Sequence, residues 1–404
     1  MTTLADKRII LGVGGGIAAY KAPMIVRALT QAGAQVRVVL TESATQFVAP
    51  LALQAVSGNP VGTSLFDPGY EHQIGHIELA RWADAVIVAP ATANLLARMA
   101  HGMADDLLTT VLLATTAPVL VCPAMNTQML GNAAVQANLQ TVASHPRTTI
   151  LDPDEGLLAC GEVGSGRLPD ADVILEVTGR MLGSGLLRDR RVVVTAGPTR
   201  EAFDAVRFLS NRSSGKMGYA LAAAAWRAGA SVVLISGPVT LTPPHGVQVV
   251  SVTTAAEMRA AVLAQNADIL IMAAAVADYR PASPLAHKRK KSDAPWTPEF
   301  ERTRDILADV ATAPNRPALV VGFAAETEDV AEYASDKMAR KRLDGIVGNN
   351  VSGPGGAFES DSNTVIMLSP ASEPIHAGPA SKQLIARTIV EWIATLRPHG
   401  ATHE

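Results

Sequence analysis

The chain of 404 residues carries 34 Lys and Arg against 37 Asp and Glu, which gives a formal net charge of −3. Because the basic residues are scattered, this balance argues against a nucleic-acid surface and predicts small charged ligands. No apolar run approaches the roughly 18 to 20 residues of a membrane helix, and the N-terminal sequence lacks a signal-peptide pattern. The two cysteines, Cys122 and Cys160, are too few for a disulfide framework, so a reducing cytoplasm is expected.

Apolar runs alternate with helical patterns in the first half of the chain. Predicted strands occupy residues 9–13, 36–40, 85–89 and 119–122. The first strand runs into Gly14, Gly15 and Gly16, and a helix is predicted over residues 17–29. This alternation is typical of a parallel sheet with helices on both faces. A glycine turn between a strand and a helix N-terminus is a ready anion site, because unpaired amides and the helix dipole point at one place.

A second strand that leads into a glycine turn follows residues 182–190, a segment that contains Gly and Ser and is predicted to be a linker. Beyond it, strands are predicted at residues 192–194, 231–235, 268–275, 318–322 and 345–348. A second glycine-rich turn, residues 213–218, opens another Ala-rich helix. The predicted fold class is therefore α/β, with two doubly wound Rossmann-like domains at residues 1–181 and 191–404.

One segment, residues 281–298, breaks the alternation of strands and helices. It contains four prolines and the basic run 287–291. A loop of this composition is expected to be mobile unless an anionic group orders it. Taken alone, such a basic run is more typical of a solvated surface than of a binding site.

The candidate residues of the first domain follow its predicted strands. Gly14, Gly16 and Ala19 fit a relaxed dinucleotide-binding pattern, which is weak by itself. The second strand ends in hydroxyl residues that suit the terminal phosphate of a mononucleotide, although Glu42 would suit a dinucleotide. Three further residues offer a base, an amide and a thiol: His76, Asn126 and Cys160. Each has a structural alternative, since a lone histidine or cysteine is often core filler and Asn126 could cap a helix.

The motifs GGIAAYK, GHIELARWAD, APATAN, PAMN and ACGEVGSGR resemble those of the FMN-dependent phosphopantothenoylcysteine decarboxylases, within the homo-oligomeric flavin-containing cysteine decarboxylase family. The resemblance covers residues 7–167 and implies a flavodoxin-like flavoprotein domain. It implies that His76 is the active-site base, that Asn126 binds the substrate carboxylate and that Cys160 is the acid. The implied FMN contacts are Gly15, Gly16, Thr41, Ser43, Ala89, Thr92 and Asn94. Gly14 departs from the family pattern, in which a hydroxyl residue is frequent.

Flavin suits the chemistry of this implied reaction. Decarboxylation of a C-terminal cysteine leaves a carbanion with no adjacent electron sink. By the resemblance, flavin oxidises the substrate thiol to a thioaldehyde and later returns the hydride, so no net redox change results. A thiol donor in the glycine-rich loop around Cys160 would close over the intermediate and exclude water.

The second half of the chain carries the motifs TAGPTRE, SNRSSGKMG, AAAVADYR and GFAAET, followed by Lys337 and Lys341 on one helix face. Their glycine and lysine spacing excludes a Walker loop. Together they resemble the phosphopantothenate–cysteine ligases over residues 191–363. This resemblance implies that CTP activates the phosphopantothenate carboxylate as an acyl cytidylate, which the cysteine amine attacks. Cations and Mg²⁺ would offset the repulsion between carboxylate and triphosphate.

The ligase resemblance also implies roles for particular residues. Asn211 would bind the acyl intermediate, Lys288 would be catalytic, and Asp278 is a candidate Mg²⁺ ligand. The implied nucleotide contacts are Ala273, Ala274, Asp278, Lys288, Asp305, Ile306, Phe323, Lys337 and Lys341. Where relatives carry Asn-Pro ahead of Asp-Ile, this chain has Thr303 and Arg304, a departure that bears on the contacts to the base.

The combined prediction is a bifunctional enzyme of coenzyme A biosynthesis that ligates cysteine to phosphopantothenate and then decarboxylates the product to phosphopantetheine. Its partners would be phosphopantothenate, cysteine and CTP, with no nucleic acid and no membrane. The resemblance implies a homo-oligomer, a dodecamer with paired ligase domains. Two alternatives remain at this point. A flavin-binding regulatory protein would have lost His76 or Cys160, and a flavin prenyltransferase or another decarboxylase of the flavin fold would leave PAMN and the Cys160 loop without a role.

Overall fold

The computed structural model divides into two compact units, Met1–Leu182 and Gly183–Glu404. It describes residues 4–66, 75–157, 161–291, 296–326, 328–350, 360–370 and 372–398. The division falls within the predicted linker at residues 182–190. Leu187 in this segment is 2% exposed, and its amide donates to the Ala228 carbonyl at 2.9 Å. The end of the linker therefore packs with the second unit.

Six parallel strands form the sheet of the first unit. They are β1 (Arg8–Val13), β2 (Gln35–Leu40), β3 (Val61–Gly62), β4 (Ala85–Ala91), β5 (Val119–Pro123) and β6 (Thr148–Ile150), and a hairpin follows, β7 (Asp154–Leu157) with β8 (Val163–Arg167). The helices are α1 (Ala22–Gln31), α2 (Pro50–Ser57), α3 (His76–Trp82), α4 (Ala93–Ala100), α5 (Leu107–Ala114), α6 (Thr127–Gly131), α7 (Ala133–Ala143) and α8 (Ala171–Met181). The strand order is β3-β2-β1-β4-β5-β6. Without the short β3 this is the flavodoxin-like order, which confirms the predicted fold class.

Burial explains why these segments form strands. β4 is buried at every position, as expected of a parallel strand covered by helices on both faces. Its Ala85 pairs with Ile9 of β1, so the topological switch lies between these strands and opens a crevice at their carboxyl ends. The helix predicted over residues 17–29 is wrong at its start, where a 3-10 turn, Ile17–Lys21, precedes α1. Pro23 lacks an amide hydrogen and therefore fits only the first turn of a helix.

The second unit contains a larger sheet of eight strands. These are β9 (Arg191–Ala196), β12 (Ser231–Ser236), β13 (Gln248–Ser251), β14 (Ile269–Met272), β17 (Leu319–Glu326), β18 (Gly345–Asn350), β19 (Ser362–Ser369) and β20 (Ser372–Ser381). Two short hairpins stand outside it, β10 (Arg200–Ala202) with β11 (Phe208–Ser210), and β15 (Tyr279–Pro281) with β16 (Phe300–Arg302). The helices are α9 (Lys216–Arg227), α10 (Ala255–Leu263), α11 (Ile306–Thr312), α12 (Val330–Lys341) and α13 (Lys382–Ile393).

The strand order of this sheet is β13-β12-β9-β14-β17-β18-β19-β20, with β19 and β20 antiparallel. Its six parallel strands follow the Rossmann order, which confirms the second doubly wound domain. Strand β14 ends at Met272 rather than at residue 275 as predicted. Instead of continuing the strand, the Ala274 amide donates to Thr195 Oγ1 (3.1 Å) and the Ala275 amide donates to the Gly197 carbonyl (2.9 Å). Across the described ranges, no helix combines the length and apolar character needed to cross a bilayer.

Aspartates immediately before inner strands bind an amide of the neighbouring strand. Their Oδ2 atoms accept three such amides: Arg8 N on Asp84 (2.8 Å), Arg191 N on Asp268 (2.7 Å) and Val320 N on Asp344 (2.7 Å). A charged acceptor strengthens each bond. The side chain of Asp344 is fully buried and also accepts Arg316 Nη2 at 2.7 Å. This carboxylate therefore joins β17, β18 and an arginine at the base of the second sheet.

Replacing Asp344 with alanine is expected to destabilise the second unit by about 3–5 kcal/mol, because Arg316 would lose its buried carboxylate partner. Asp336→Ala is the matched control. That carboxylate pairs with Arg340 on an exposed helix face, and its loss is expected to cost less than about 1 kcal/mol. Urea unfolding followed by circular dichroism measures both variants. Equal losses of stability would contradict the buried role of Asp344.

Candidate functional site

The glycine turn after β1 is closely packed. The Gly14 amide donates to the Pro90 carbonyl at 3.0 Å, and a Cβ on Gly14 would lie 2.6 Å from that oxygen. A Cβ on Gly15 would lie 2.2 Å from Ser43 Oγ. Side chains larger than hydrogen therefore require the backbone to shift at both positions. The close approach of the Pro90 carbonyl therefore favours glycine at position 14 of this chain.

Hydroxyl groups surround this turn. Thr41 Oγ1 lies 3.3 Å from Ser43 Oγ and caps the short turn that follows β2. Thr92 caps α4 at the carboxyl end of β4, and a Cβ on Gly16 would lie 3.4 Å from its methyl group. The turn after β1 and the hydroxyls after β2 and β4 thus lie close together, where the strands of a doubly wound sheet end in a ligand-binding crevice. This arrangement suits a phosphate group near a helix N-terminus.

Asn126 joins two elements at the carboxyl end of β5. Its Oδ1 accepts the Gln128 amide at 2.8 Å and caps α6, while its Nδ2 donates to Glu162 Oε2 at 3.0 Å. The adjoining backbone is attached to β8, because the Met125 amide donates to the Gly166 carbonyl at 3.0 Å. Asn126 therefore caps a helix, which the sequence analysis gave as the alternative to a binding role. Glu162 was not singled out from the sequence, where its only signal was its place in the ACGEVGSGR motif.

The other predicted residues of the first unit occupy different positions. His76 is the first residue of α3, the helix that precedes β4 in the chain. Ala89 is fully buried within β4, and Asn94 is exposed in the first turn of α4. Cys160 lies outside the described residues, between β7 and β8 in the sequence. The roles of these residues stay predictions.

The second cysteine, Cys122, is fully buried in β5, and burial raises the pKa of its thiol well above the ordinary value. The thiol therefore stays protonated and shielded. In a Cys160→Ser variant we expect no alkylation of the native protein by iodoacetamide at mildly alkaline pH, because only Cys122 remains. The same variant unfolded in urea should take up one label per chain, counted by mass spectrometry. Rapid labelling of the native variant would contradict the burial of Cys122.

A cleft of about 520 Å³ opens beyond the carboxyl ends of β14 and β17 in the second unit. Its lining comes from residues 211–218, 273–276 and 323–326, together with Asp278, Lys337, Asn349, Asn363 and Lys382. Gly215, which precedes α9, has a φ of 76°, a left-handed conformation that favours glycine. The structure therefore brings the SNRSSGKMG, AAAVADYR and GFAAET motifs into one place. Lys382, a buried lysine of this lining, had no signal in the sequence analysis.

Hydrogen bonds from several elements fix the segment that follows β14. Asn211 Nδ2 donates to the Val276 carbonyl at 2.9 Å. Thr195 Oγ1 and Thr199 Oγ1 accept amides of the same segment at 3.1 and 3.0 Å. Thr303 Oγ1 donates to a carbonyl of the segment at 2.6 Å. Thr303, which stands where relatives carry the Asn of an Asn-Pro-Asp-Ile turn, thus supports the wall of the cleft.

An adjoining cleft of about 570 Å³ holds further predicted nucleotide contacts. Those that line it are Ala274, Asp278, Asp305, Ile306, Phe323, Lys337 and Lys341. Lys337 Nζ donates to the Phe323 carbonyl at 2.8 Å, and burial lowers the pKa of this lysine from its ordinary value. Lys341 pairs with Asp305, which also caps α11. Both lysines of the predicted helix face therefore meet polar partners at this cleft.

Lys288 is not among the described residues that line either cleft, and its side chain is exposed on the basic loop. This loop was expected to be mobile unless an anionic group ordered it. In its described part, the Arg289 amide donates to the buried carboxylate of Asp204 at 3.2 Å. The pKa of Asp204 lies below its ordinary value, chiefly because this carboxylate accepts the Val206 amide. A carboxylate of the protein itself therefore binds the backbone of the described part of this loop, next to Lys288.

Asp278 stands alone as a candidate metal ligand. Within the described parts of the chain, no group of three or more His, Cys, Asp or Glu side chains could hold a metal ion. Asp278 lines both clefts of the second unit. A Mg²⁺ ion at this position would take its other ligands from phosphate oxygens and water, as this ion commonly does.

Two doubly wound units, each with a polar crevice where its parallel strands end, define an α/β protein of the class that binds nucleotides or related cofactors at strand ends. Residues 1–183 match the family described as Flavoprotein. Residues 187–396 match the family described as DNA/pantothenate metabolism flavoprotein C-terminal domain. The two matches follow the division of the structure into two units.

Curated relatives align with nearly the whole chain. The coenzyme A biosynthesis bifunctional protein CoaBC of Escherichia coli (strain K12) is 52% identical over 90% of this chain and 91% of its own length. The proteins of the same description from Vibrio vulnificus (strain YJ016) and Bacillus subtilis (strain 168) are 48% and 46% identical, over 99% and 97% of this chain and 100% and 98% of their own. This chain belongs to the family of coenzyme A biosynthesis bifunctional proteins, which confirms the resemblance found in the sequence.

Two solved structures are each similar to about half of the chain. The C-terminal domain of a coenzyme A biosynthesis bifunctional protein CoaBC is 41% identical with a TM-score of 0.45, covering 52% of this chain and 97% of that one. A mutant PPC decarboxylase complexed with pantothenoylaminoethenethiol is 32% identical with a TM-score of 0.39, covering 43% of this chain and 96% of that one.

Proposed function

We propose that this protein catalyses two consecutive steps of coenzyme A biosynthesis. The second unit joins cysteine to 4'-phosphopantothenate: CTP forms an acyl cytidylate with release of diphosphate, and the cysteine amine then displaces CMP. The first unit decarboxylates the resulting phosphopantothenoylcysteine to 4'-phosphopantetheine and CO₂. Bifunctional relatives that align with 90% to 99% of the chain support both activities in one polypeptide.

The observation that carries this proposal is the meeting of distant motifs at the strand ends of each unit. In the first unit the turn at Gly15 contacts the stretch at Ser43, and in the second unit Asn211 binds the segment after β14. Parallel strands bring such segments together at one edge of a sheet, where ligands of doubly wound folds bind. Two crevices of this kind correspond to two reactions.

In the ligase unit, cationic and polar groups face the two clefts. Lys337 and Lys341 would offset the repulsion between a carboxylate and a triphosphate. Asp278 would hold Mg²⁺ together with phosphate oxygens. The pKa of Lys337 is lowered by burial, so a bound anion would favour its charged form and raise that pKa again. Asn211, on the wall of the first cleft, would contact the acyl intermediate.

Flavin mononucleotide would fit at the turn after β1, because Gly15 has no Cβ there and the hydroxyls of Thr41 and Ser43 lie beside it. FMN, when bound, would supply a reversible acceptor for the hydride that leaves the carbon bearing the substrate thiol. The substrate carboxylate would take the place of Glu162 on the Asn126 amide. His76 would remove the thiol proton, and Cys160 would donate the proton that completes reduction of the decarboxylated product.

The assembly and location of the protein belong to the same proposal. The family resemblance supports a homo-oligomer, a dodecamer in which ligase units pair. The small number of cysteines supports a cytoplasmic location. The ligands of this assembly are phosphopantothenate, cysteine and CTP.

Replacement of Gly15 with alanine tests the flavin crevice. The added Cβ would lie 2.2 Å from Ser43 Oγ and 2.6 Å from the Ser43 backbone carbon, so the turn must shift. The variant is expected to lose the visible flavin absorbance of the purified protein while it keeps ligase activity. Gly131→Ala is the control, because its Cβ would meet nothing within 4 Å. Full flavin content in Gly15→Ala would contradict a cofactor at this turn.

The overall function is tested by mass spectrometry of the products from phosphopantothenate, cysteine, Mg²⁺ and either CTP or ATP. Wild-type protein is expected to form phosphopantetheine and CMP in the CTP reaction. Lys288→Gln is expected to lose ligation by about 100-fold or more but to decarboxylate added phosphopantothenoylcysteine. His76→Asn is expected to accumulate phosphopantothenoylcysteine.

Three outcomes would count against the proposal in different ways. Absence of product with either nucleotide would contradict both activities. Equal turnover with ATP would contradict the assignment of CTP alone. Loss of both activities in Lys288→Gln or in His76→Asn would contradict two separate sites.

A further inference from the structure

The loop that carries Lys288 is attached to one turn of the protein on both sides of this lysine. The turn comprises residues 203–207 and joins β10 to β11. Before Lys288, the Leu285 amide donates to the Phe203 carbonyl at 2.9 Å. After it, the Arg289 amide donates to Asp204 Oδ2 at 3.2 Å. The backbone around Lys288 is therefore held at two points.

The two oxygens of Asp204 make different contacts. Oδ1 accepts the amides of Val206 and Arg207, both at 2.8 Å, and thereby closes the turn. Oδ2 accepts the Arg289 amide and Arg207 Nη1 (3.3 Å). The side chain of Asp204 is fully buried, and a buried carboxylate is tolerated only with such partners. One oxygen therefore maintains the turn and the other holds the basic loop.

Aromatic side chains extend this attachment. The ring of Phe203 makes edge contacts with the rings of Trp296 and Phe300, with centroids 5.5 and 5.8 Å apart. The guanidinium of Arg289 lies over the Trp296 ring at 5.0 Å, a cation–π contact. The hydrogen bond between Asp204 and the Arg289 amide is thus accompanied by aromatic contacts of Phe203, in the same turn, with Trp296 and Phe300.

The same hairpin leads into the cleft. Strands β10 and β11 pair antiparallel, and Asn211 follows β11 directly. Asn211 Nδ2 donates to the Val276 carbonyl in the cleft wall. One short hairpin therefore carries Asp204 at its turn and Asn211 at its base. Through this hairpin, the bond between Asp204 and the Arg289 amide connects the Lys288 loop with the wall of the cleft.

We propose that Asp204 is a positioning residue for the ligase reaction, whose buried carboxylate holds the Lys288 loop on the hairpin that leads to Asn211. The inference rests on the proposed ligase function of Lys288. Asp204 itself acts through the backbone at Arg289 and has no contact with substrate in this role. Misplacement of a catalytic group by about 1 Å lowers rates by about 100-fold.

Asp204→Asn separates the two functions of the carboxylate. An asparagine can keep an oxygen toward the Val206 and Arg207 amides, but it then presents an NH₂ group to the Arg289 amide and to the Arg207 guanidinium. Two donors facing each other release the loop while the turn stays closed. Glu201→Gln is the matched control, because Glu201 is also a buried carboxylate that accepts an amide, that of Ala255 at 2.8 Å, on the same hairpin.

Three readouts on the full-length flavin-loaded protein test the proposal. Trypsin cleavage after residues 288–291, quantified by mass spectrometry, should be faster in Asp204→Asn than in wild type or Glu201→Gln. The ligase kcat should fall by about tenfold to 100-fold, with an unchanged KM for cysteine and unchanged decarboxylation of added phosphopantothenoylcysteine. The double variant Asp204→Asn with Lys288→Gln should be no slower than Lys288→Gln alone, as expected of residues that act as a unit.

The outcomes separate this inference from the proposed function. Unchanged cleavage and unchanged ligase kcat in Asp204→Asn would overturn the positioning role, whatever the activity of Lys288→Gln. The positioning role would also be overturned if the ligase kcat of the double variant fell below that of Lys288→Gln by the same factor by which Asp204→Asn falls below wild type. Asp204 would then act independently of Lys288. Wild-type ligation by Lys288→Gln would contradict the proposed function of that lysine, and the positioning role would fall with it.

Discussion

Both crevices depend on the pairing of each unit's first strand with two parallel neighbours. β1 lies between β2 and β4, and β9 lies between β12 and β14. Because parallel strands end at one edge, segments that are distant in sequence arrive at the same place. The aspartates before β4 and β14, Asp84 and Asp268, bind the first amides of β1 and β9. The same hydrogen bond therefore aligns the central strands of both units.

The second unit shapes its crevice with side chains that bind backbone. Thr195 and Thr199 accept amides that leave the β14 ladder, and Thr303 donates to a carbonyl of the same segment. Each contact satisfies a backbone group that would otherwise be left unpaired where a strand ends. The loops that line the clefts are thus fixed by buried or half-buried polar groups, and Lys337 and Lys341 both line the second cleft.

The sequence predicted the buried strands closely and the segments between them less well. The strand predicted at residues 231–235 is observed as Ser231–Ser236, because a parallel strand covered on both faces needs a continuous apolar run. The helix predicted over residues 17–29 was wrong at its start, since Pro23 limits where a helix begins. The strand predicted over residues 268–275 was too long, because Thr195 takes an amide that apolar composition alone assigns to the ladder.

The sequence by itself determined the fold class, the family, and the strand and glycine turn that open each of the two domains. Apolar periodicity, glycine turns and contiguous motifs are local properties of a chain. Only the tertiary structure decided that Glu162 binds Asn126, that Asp204 holds the Lys288 loop, and that the lysines of α12 face the clefts. The partners in the first two contacts are 36 and 85 residues apart. Such pairs form because buried polar groups must find partners once the chain is compact, and no local pattern specifies which partner is near.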